Sequence, residues 1–154
     1  MRLQSVRRTR QLGRALGKSA RGGEVLDLRG PFGAGKTTTA QGVLEGLLGP
    51  GTYRSPSFDL IHVYASDAGS LEVFHVDLDR MVDAGLDTVG FDDLFGPASV
   101  VIVEHGEVAE DRLPKDRLEC HLARGADVSR RVCGIRTRGP VARAWLGRAL
   151  TRLR

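Results

Sequence analysis

The sequence has 154 residues and a mass of 16.7 kDa. That length can bury one sizeable core and is cramped for two, so it predicts a single domain over residues 1–154. Hydrophobic residues make up 41% and charged residues 27%, which excludes a disordered tail or a fibrous chain. The net charge of +4 hides two asymmetries: the basic residues are 20 Arg against 3 Lys (Lys18, Lys36 and Lys115), and no Asn occurs anywhere. Charge is also segregated, +6 over residues 1–29, −10 over 30–123 and +8 over 124–154. Basic ends around an acidic middle fit a footprint for nucleic acid or an acidic partner, but a chain-wide preference for Arg is the simpler account. No stretch reaches the roughly 18 apolar residues of a membrane span, and no apolar segment follows Arg2, Arg7, Arg8 and Arg10. The expectation is a cytoplasmic protein with no membrane partner. Cys120 and Cys133 lack CxxC spacing, and are expected to be reduced thiols packed as small apolar residues in strands.

In chain order, Thr9 is the expected N-cap of a first helix with Leu12, Ala15, Leu16 and Ala20 at helical spacing, stopped by Gly22-Gly23. Residues 24–29 read as a strand, less apolar than a central parallel strand usually is because of Glu24 and Asp27. A Gly-rich turn leads into a helix over 36–48, with Val43, Leu44, Leu47 and Leu48 on one face and Gly49-Pro50-Gly51 as its stop. Strands are predicted over 58–64 and 71–76, joined by a hairpin-type turn at 65–70. Residues 81–95 read as an acidic helix. Ser99-Val100-Val101-Ile102-Val103-Glu104 is the clearest buried strand, four consecutive β-branched residues ending on a carboxylate. Two further strands are predicted over 117–122 and 131–137, and a last helix over 141–153 with Pro140 at its first turn. Strands mixed with helices around a hairpin imply a three-layer α/β fold whose sheet is part parallel and part antiparallel.

One motif carries chemistry. Gly30-Pro31-Phe32-Gly33-Ala34-Gly35-Lys36-Thr37 satisfies GxxxxGK[ST] between a predicted strand and a predicted helix, the context a phosphate-binding loop requires. Chance supplies roughly 0.005 such matches in a chain of this composition. Glycines let successive N–H groups turn onto phosphate oxygens, and the helix aims its positive end at the same place. Lys36 suits the outer phosphates and the Thr37 hydroxyl suits Mg²⁺. Between residues 19 and 114 Lys36 is the only lysine. In an Arg-preferring chain, that marks a place where a compact ammonium fits and a planar guanidinium does not.

Two carboxylates extend the site. Glu104 ends an apolar strand in the layout of a Walker B element, and Asp77 ends the strand before His75-Val76-Asp77-Leu78-Asp79-Arg80 turns away. An acid at a strand end is commonly just solvated, but beside a phosphate loop Mg²⁺ needs such oxygen ligands. Tyr53-Arg54-Ser55-Pro56-Ser57 reads as a loop whose hydroxyls suit a γ-phosphate sensor. His62, His75, His105 and His121 stand at no metal-ligand spacing and read as ordinary strand or loop residues, and Arg130-Arg131 as a solvated pair.

Several motifs then fall in a familiar order: Gly33-Ala34-Gly35-Lys36-Thr37-Thr38, Ser55-Pro56-Ser57-Phe58, residues 75–80, Gly90-Phe91-Asp92-Asp93-Leu94-Phe95, Val103-Glu104 and Leu113-Pro114. Over about residues 5–138 the chain resembles the TsaE (YjeE) family, P-loop ATPases of tRNA threonylcarbamoyladenosine biosynthesis. The resemblance implies a P-loop NTPase fold and Mg²⁺-dependent ATP hydrolysis, weak alone and stimulated by partners. It implies action on the TsaD–TsaB complex, resetting it between modification cycles, with tRNA met only through that complex. It assigns nucleotide binding to Phe32, Gly33, Ala34, Gly35, Lys36, Thr37, Thr38 and Ser57. Metal binding falls to Thr37, Asp77 and Glu104, and catalysis to Lys36, Asp77 and Glu104. Ser57 takes a switch-like position where the family usually has Thr. Pro31 stands where the family commonly has an acid, Asp79 where it has Tyr and His105 where it has Trp.

A guanine-reading NKxD motif and a protein-kinase HRDxxxxN loop both need Asn, which the chain lacks. A small P-loop kinase and an ATP-binding regulatory module with negligible hydrolysis remain as alternatives.

Overall fold

The computed structural model describes residues 1–66, 69–81, 83–127 and 130–154. The chain runs β1 (Arg2–Leu3), α1 (Val6–Gly17), β2 (Val25–Arg29), α2 (Lys36–Leu48), β3 (Ile61–Ala65), β4 (Glu72–Asp77) and α3 (Asp83–Thr88). It continues through β5 (Ser99–Glu104), β6 (Leu118–Arg124), β7 (Arg131–Thr137) and α4 (Pro140–Thr151). Two 3-10 segments, Phe91–Leu94 and Gly106–Arg112, stand on either side of β5 in the chain.

All seven strands lie in one sheet, in the order β1-β7-β6-β2-β5-β4-β3. β2 pairs in parallel with β5 and β6, and β4 in parallel with β5. The outer pairs β3·β4, β6·β7 and β1·β7 are antiparallel. This is the mixed α/β sheet expected from the pattern, and it places β2, β5 and β4 side by side with their C-terminal ends together. The register sets Glu104 opposite both Leu28 and Asp77.

Helices α1, α2 and α4 cover one face over Leu26, Leu28, Ile102, Leu118 and Cys120. The free thiols of Cys120 and Cys133 are buried there as apolar filler. Trp145 is fully buried, and its indole N–H donates to the Leu16 carbonyl at 2.9 Å, tying α4 to the end of α1. α3 and the 3-10 segments cover the other face, packing Leu86, Phe91, Leu94 and Leu113 on Val76, Val101 and Val103. α1 and α2 meet backbone to backbone. A Cβ built on Gly13 would fall 2.3 Å from the Thr39 carbonyl oxygen, and one on Gly17 2.1 Å from that of Val43. Gly42 and Gly46 face Arg10 and Arg14 in the same way, and Glu45 accepts from both arginines.

Three readings need correction. α1 starts before Thr9: Ser5 is its N-cap, accepting from the Arg8 N–H at 3.2 Å, while Thr9 lies a turn inside with its hydroxyl on the Ser5 carbonyl. The strand expected from 58 starts at Ile61, because Leu60 sits at φ 65 with its N–H turned back to the Pro56 carbonyl. The helix expected over 81–95 is broken: α3 ends at Thr88, and Gly90 at φ 65 redirects the chain into the 3-10 turn that buries Phe91 and Leu94. β1 and the turn over 106–112 carried no prediction, the first being two residues long and the second polar and kinked at Ala109. Of the predicted hairpin turn, residues 67 and 68 lie outside the described residues, as does residue 82 of the predicted helix.

The polarity of β2 has a structural cause. Asp27 is fully buried, accepting from Arg29 Nε and Nη2 at 2.8 and 2.6 Å with Arg117 Nε 3.4 Å away. Burial pushes its carboxyl above the ordinary range, although Arg29 and Arg117 act in the opposite direction. Gly106 packs on Asp27 with no room for a side chain. The segment after Glu104 is thereby fixed to the middle of the sheet.

Candidate functional site

The loop between β2 and α2 turns on glycines at positive φ; Gly35, the N-cap of α2, sits at φ 106, a conformation that side chains disfavour. No side chain caps α2 and no acid occupies its first turn. Its first N–H groups are therefore offered to the cleft, as anion binding requires. Lys36 is buried against the loop, its Nζ donating to the carbonyls of Gly30 at 2.7 Å and Pro31 at 2.9 Å.

Phe32, Gly33, Gly35, Lys36, Thr37, Thr38, Ser57, Asp77 and Glu104 line one cleft of about 290 Å³. Ala34 is the exception: its methyl is buried in the α1–α2 core, and its N–H turns to the Pro31 carbonyl. Phe32 projects into solvent, 90% exposed. The sheet register carries Glu104 and Asp77 to the cleft floor side by side. Thr37 Oγ1 donates to Glu104 Oε2 at 2.9 Å. Asp77 accepts from the Asp79 N–H at 3.0 Å and from Ser57 Oγ at 3.4 Å, and Ser57 shares a hydrogen bond with Ser55. A lysine, uncapped helix N–H groups and three clustered hard oxygen donors form a set that fits a polyphosphate with Mg²⁺.

Sequence reasoning missed several neighbours. His75 is fully buried with Nε2 2.8 Å from Glu104 Oε1, so a residue read as ordinary strand stands behind the β5 carboxylate. His105 lines the cleft at φ 61, where a non-glycine residue costs about 1–2 kcal/mol. Its Nε2 is 3.8 Å from Asp79 Oδ1, so the two positions that depart from the resembled family's aromatics adjoin each other. Val6, Thr9, Asp79, Arg80 and Arg131 complete the lining. His75 had a usable signal, the alternation that puts it on the same face of β4 as Asp77. Val6 and Arg131 had none, since only the tertiary fold brings α1 and β7 to the loop.

The family model described as "Threonylcarbamoyl adenosine biosynthesis protein TsaE" matches residues 3–132. The chain is 36% identical over 124 residues to the tRNA threonylcarbamoyladenosine biosynthesis protein TsaE of Bacillus subtilis, covering 80% of this chain and 77% of that one. It is 39% identical over 122 residues to the TsaE of Streptomyces coelicolor, covering 75% and 78%. Among solved structures, that of Bacillus subtilis YdiB superposes with a TM-score of 0.77 at 28% identity, covering 100% of this chain and 95% of that one. Among the described residues no helix is long and apolar enough to cross a membrane. With a P-loop opening α2 and the family match running from β1 into β7, the chain belongs to the TsaE family of tRNA threonylcarbamoyladenosine biosynthesis proteins.

Proposed function

We propose that this chain, acting as one domain over residues 1–154, is a Mg²⁺-dependent ATPase of the cytoplasmic tRNA threonylcarbamoyladenosine machinery. In this reading it is slow alone, and it acts on the TsaD–TsaB complex to support its turnover, with tRNA met through that complex. The observation that carries the reading is the contact of Thr37 with Glu104 beside the Lys36 loop, which gathers phosphate-binding and metal-binding groups within one cleft.

The roles follow from the chemistry of each group. The N–H groups opening α2 and the Lys36 ammonium bind the phosphates and offset charge as the terminal phosphoryl group leaves. Lys36 exchanges its two loop carbonyls for phosphate oxygens, so the loop is already shaped around a cation-to-oxygen contact. Thr37, Asp77 and Glu104 would hold Mg²⁺, which neutralises phosphate charge when bound. Asp77, with one oxygen on the Asp79 N–H and the other facing Ser57, also suits orientation of the attacking water.

The test is ATP hydrolysis by the purified chain with and without a purified TsaB–TsaD pair, alongside co-migration on gel filtration. Slow hydrolysis that rises when the pair is added supports the reading. An unchanged rate with no co-migration overturns it.

A further inference from the structure

The fully buried imidazole of His75 is the feature that the assignments above leave unused. It sits in the middle of β4, on the face whose neighbours Val73 and Ile102 are fully buried apolar residues. An apolar side chain there would leave no polar atom to satisfy, so a histidine needs a reason. Among the described residues its one hydrogen bond is Nε2 to Glu104 Oε1 at 2.8 Å, and Nδ1 is buried with no partner. A carboxylate oxygen only accepts, so Nε2 is the donor.

Glu104 is itself only 2% exposed, and its two oxygens are divided between two donors. Oε1 takes His75 from the sheet side and Oε2 takes the Thr37 hydroxyl from the cleft side. Only the second donor belongs to a group suited to Mg²⁺, which prefers oxygen ligands. When Thr37 turns its hydroxyl to a metal, His75 is the donor that still fixes the carboxylate plane. Without it, a buried carboxylate would keep one unsatisfied oxygen and rotate about its last torsion.

We infer that His75 is a positioning residue that holds the Glu104 carboxylate in its metal-binding orientation, and so sets how strongly Mg²⁺ tightens nucleotide binding. The inference rests on the proposed Mg²⁺–ATP site and adds to it a residue that touches neither metal nor nucleotide.

The experiment is calorimetric titration of ATP into the full chain, in Mg²⁺ and in EDTA, for wild type, His75→Leu, His75→Asn and His75→Gln, with thermal unfolding run on each. Gln presents an amide N–H at about the reach of Nε2, whereas Asn is too short and Leu has no donor. The expected result is a Mg²⁺-dependent gain in affinity in wild type, at least a tenfold loss of that gain in Leu and Asn, and its recovery to within about threefold in Gln. Affinity in EDTA should stay within twofold throughout. If Leu fails to fold, the contrast between Asn and Gln decides, because both keep a polar amide in the same strand. A Mg²⁺ gain retained in a folded Leu or Asn variant overturns the positioning role and leaves the nucleotide site standing, as does a Gln variant as defective as Asn. A wild-type chain whose ATP affinity is the same in Mg²⁺ and EDTA overturns the metal-dependent reading and the role of His75 with it.

Discussion

The hydroxyl of Thr37 donates to Oε2 of Glu104 at 2.9 Å, joining the first turn of α2 to the last residue of β5. The contact spans 67 residues of sequence, and it forms because the parallel sheet delivers β5 beneath the helix that the phosphate loop starts. It leads to the first expectation. Glu104→Ala should keep ATP affinity in EDTA within about threefold and lower Mg²⁺-dependent hydrolysis in the presence of the partner pair by at least about 100-fold, the order seen when a transition-state electrostatic group is removed. Nucleotide titration and rate measurement on the same preparation check it. A variant that hydrolyses at the wild-type rate would remove Glu104 from the proposed metal site.

Lys36 gives a different signature, because its ammonium contacts the loop itself. Its Nζ donates to the Gly30 and Pro31 carbonyls, and the residue is only 5% exposed. Lys36→Ala should weaken ATP binding by at least about 100-fold with or without Mg²⁺, the loss of two or more charge-assisted hydrogen bonds. Lys36→Arg should fare little better, since a planar guanidinium needs room that this contact does not leave. Calorimetric titration reads both variants, and an unchanged affinity in Lys36→Ala would refute the phosphate-loop role.

These two residues also show why the site was largely legible in the sequence and its surroundings were not. Lys36, Thr37 and the glycines are local, so a strand, a turn and a helix read in one window suffice to place them. Glu104 and Asp77 announced themselves as acids ending strands, and parallel pairing supplied the rest. His75 reads as an ordinary strand residue because its partner lies 29 residues away on a neighbouring strand: alternation along β4 gives the face it shares with Asp77 but does not name Glu104 as its neighbour. Secondary structure departs from expectation where backbone geometry overrides pattern, at the left-handed Leu60 and at Gly90, which cut short the strand expected over 58–64 and the acidic helix expected over 81–95.

The glycine seam between α1 and α2 yields a stability expectation. A methyl on Gly17 would sit 2.1 Å from the Val43 carbonyl oxygen, a backbone atom that moves only if the whole helix moves. Gly17→Ala should therefore destabilise the chain by about 1–3 kcal/mol or more, as overpacking does, despite the better helix propensity of Ala. Gly147, inside α4, has nothing within 4 Å of a built Cβ, so Gly147→Ala should instead stabilise by about 0.5–1 kcal/mol. Trp145 is the only tryptophan, and its burial against α1 makes its fluorescence a direct reporter of urea unfolding for both variants. Two shifts of the same sign would contradict the packing argument.

On the outer side of the same helix pair, Glu45 accepts from Arg10 and from Arg14 Nε, the latter at 2.6 Å. Burial pushes its carboxyl up, but the hydrogen bonds and charges of the two arginines together pull it further down, leaving it below the ordinary range. The sign of the linkage follows. A carboxyl that ionises more readily folded than unfolded adds stability above the unfolded value of about 4.3, and loses it as pH falls through the lowered folded value. Both arginines are more than a third exposed, at 39% and 51%, so solvent screening limits the contribution to about 1 kcal/mol. Glu45→Gln should therefore lower the urea midpoint at pH 7, and the gap to wild type should begin to narrow as pH falls through about 4.3 and close only below the lowered folded value, where the wild-type carboxyl is protonated in both states. Raising salt at pH 7 should narrow the gap as well, because the arginine heads lie at the surface. A gap that stays constant from pH 7 to pH 3 would mean that Glu45 contributes through packing of its methylenes against α1 rather than through its charge.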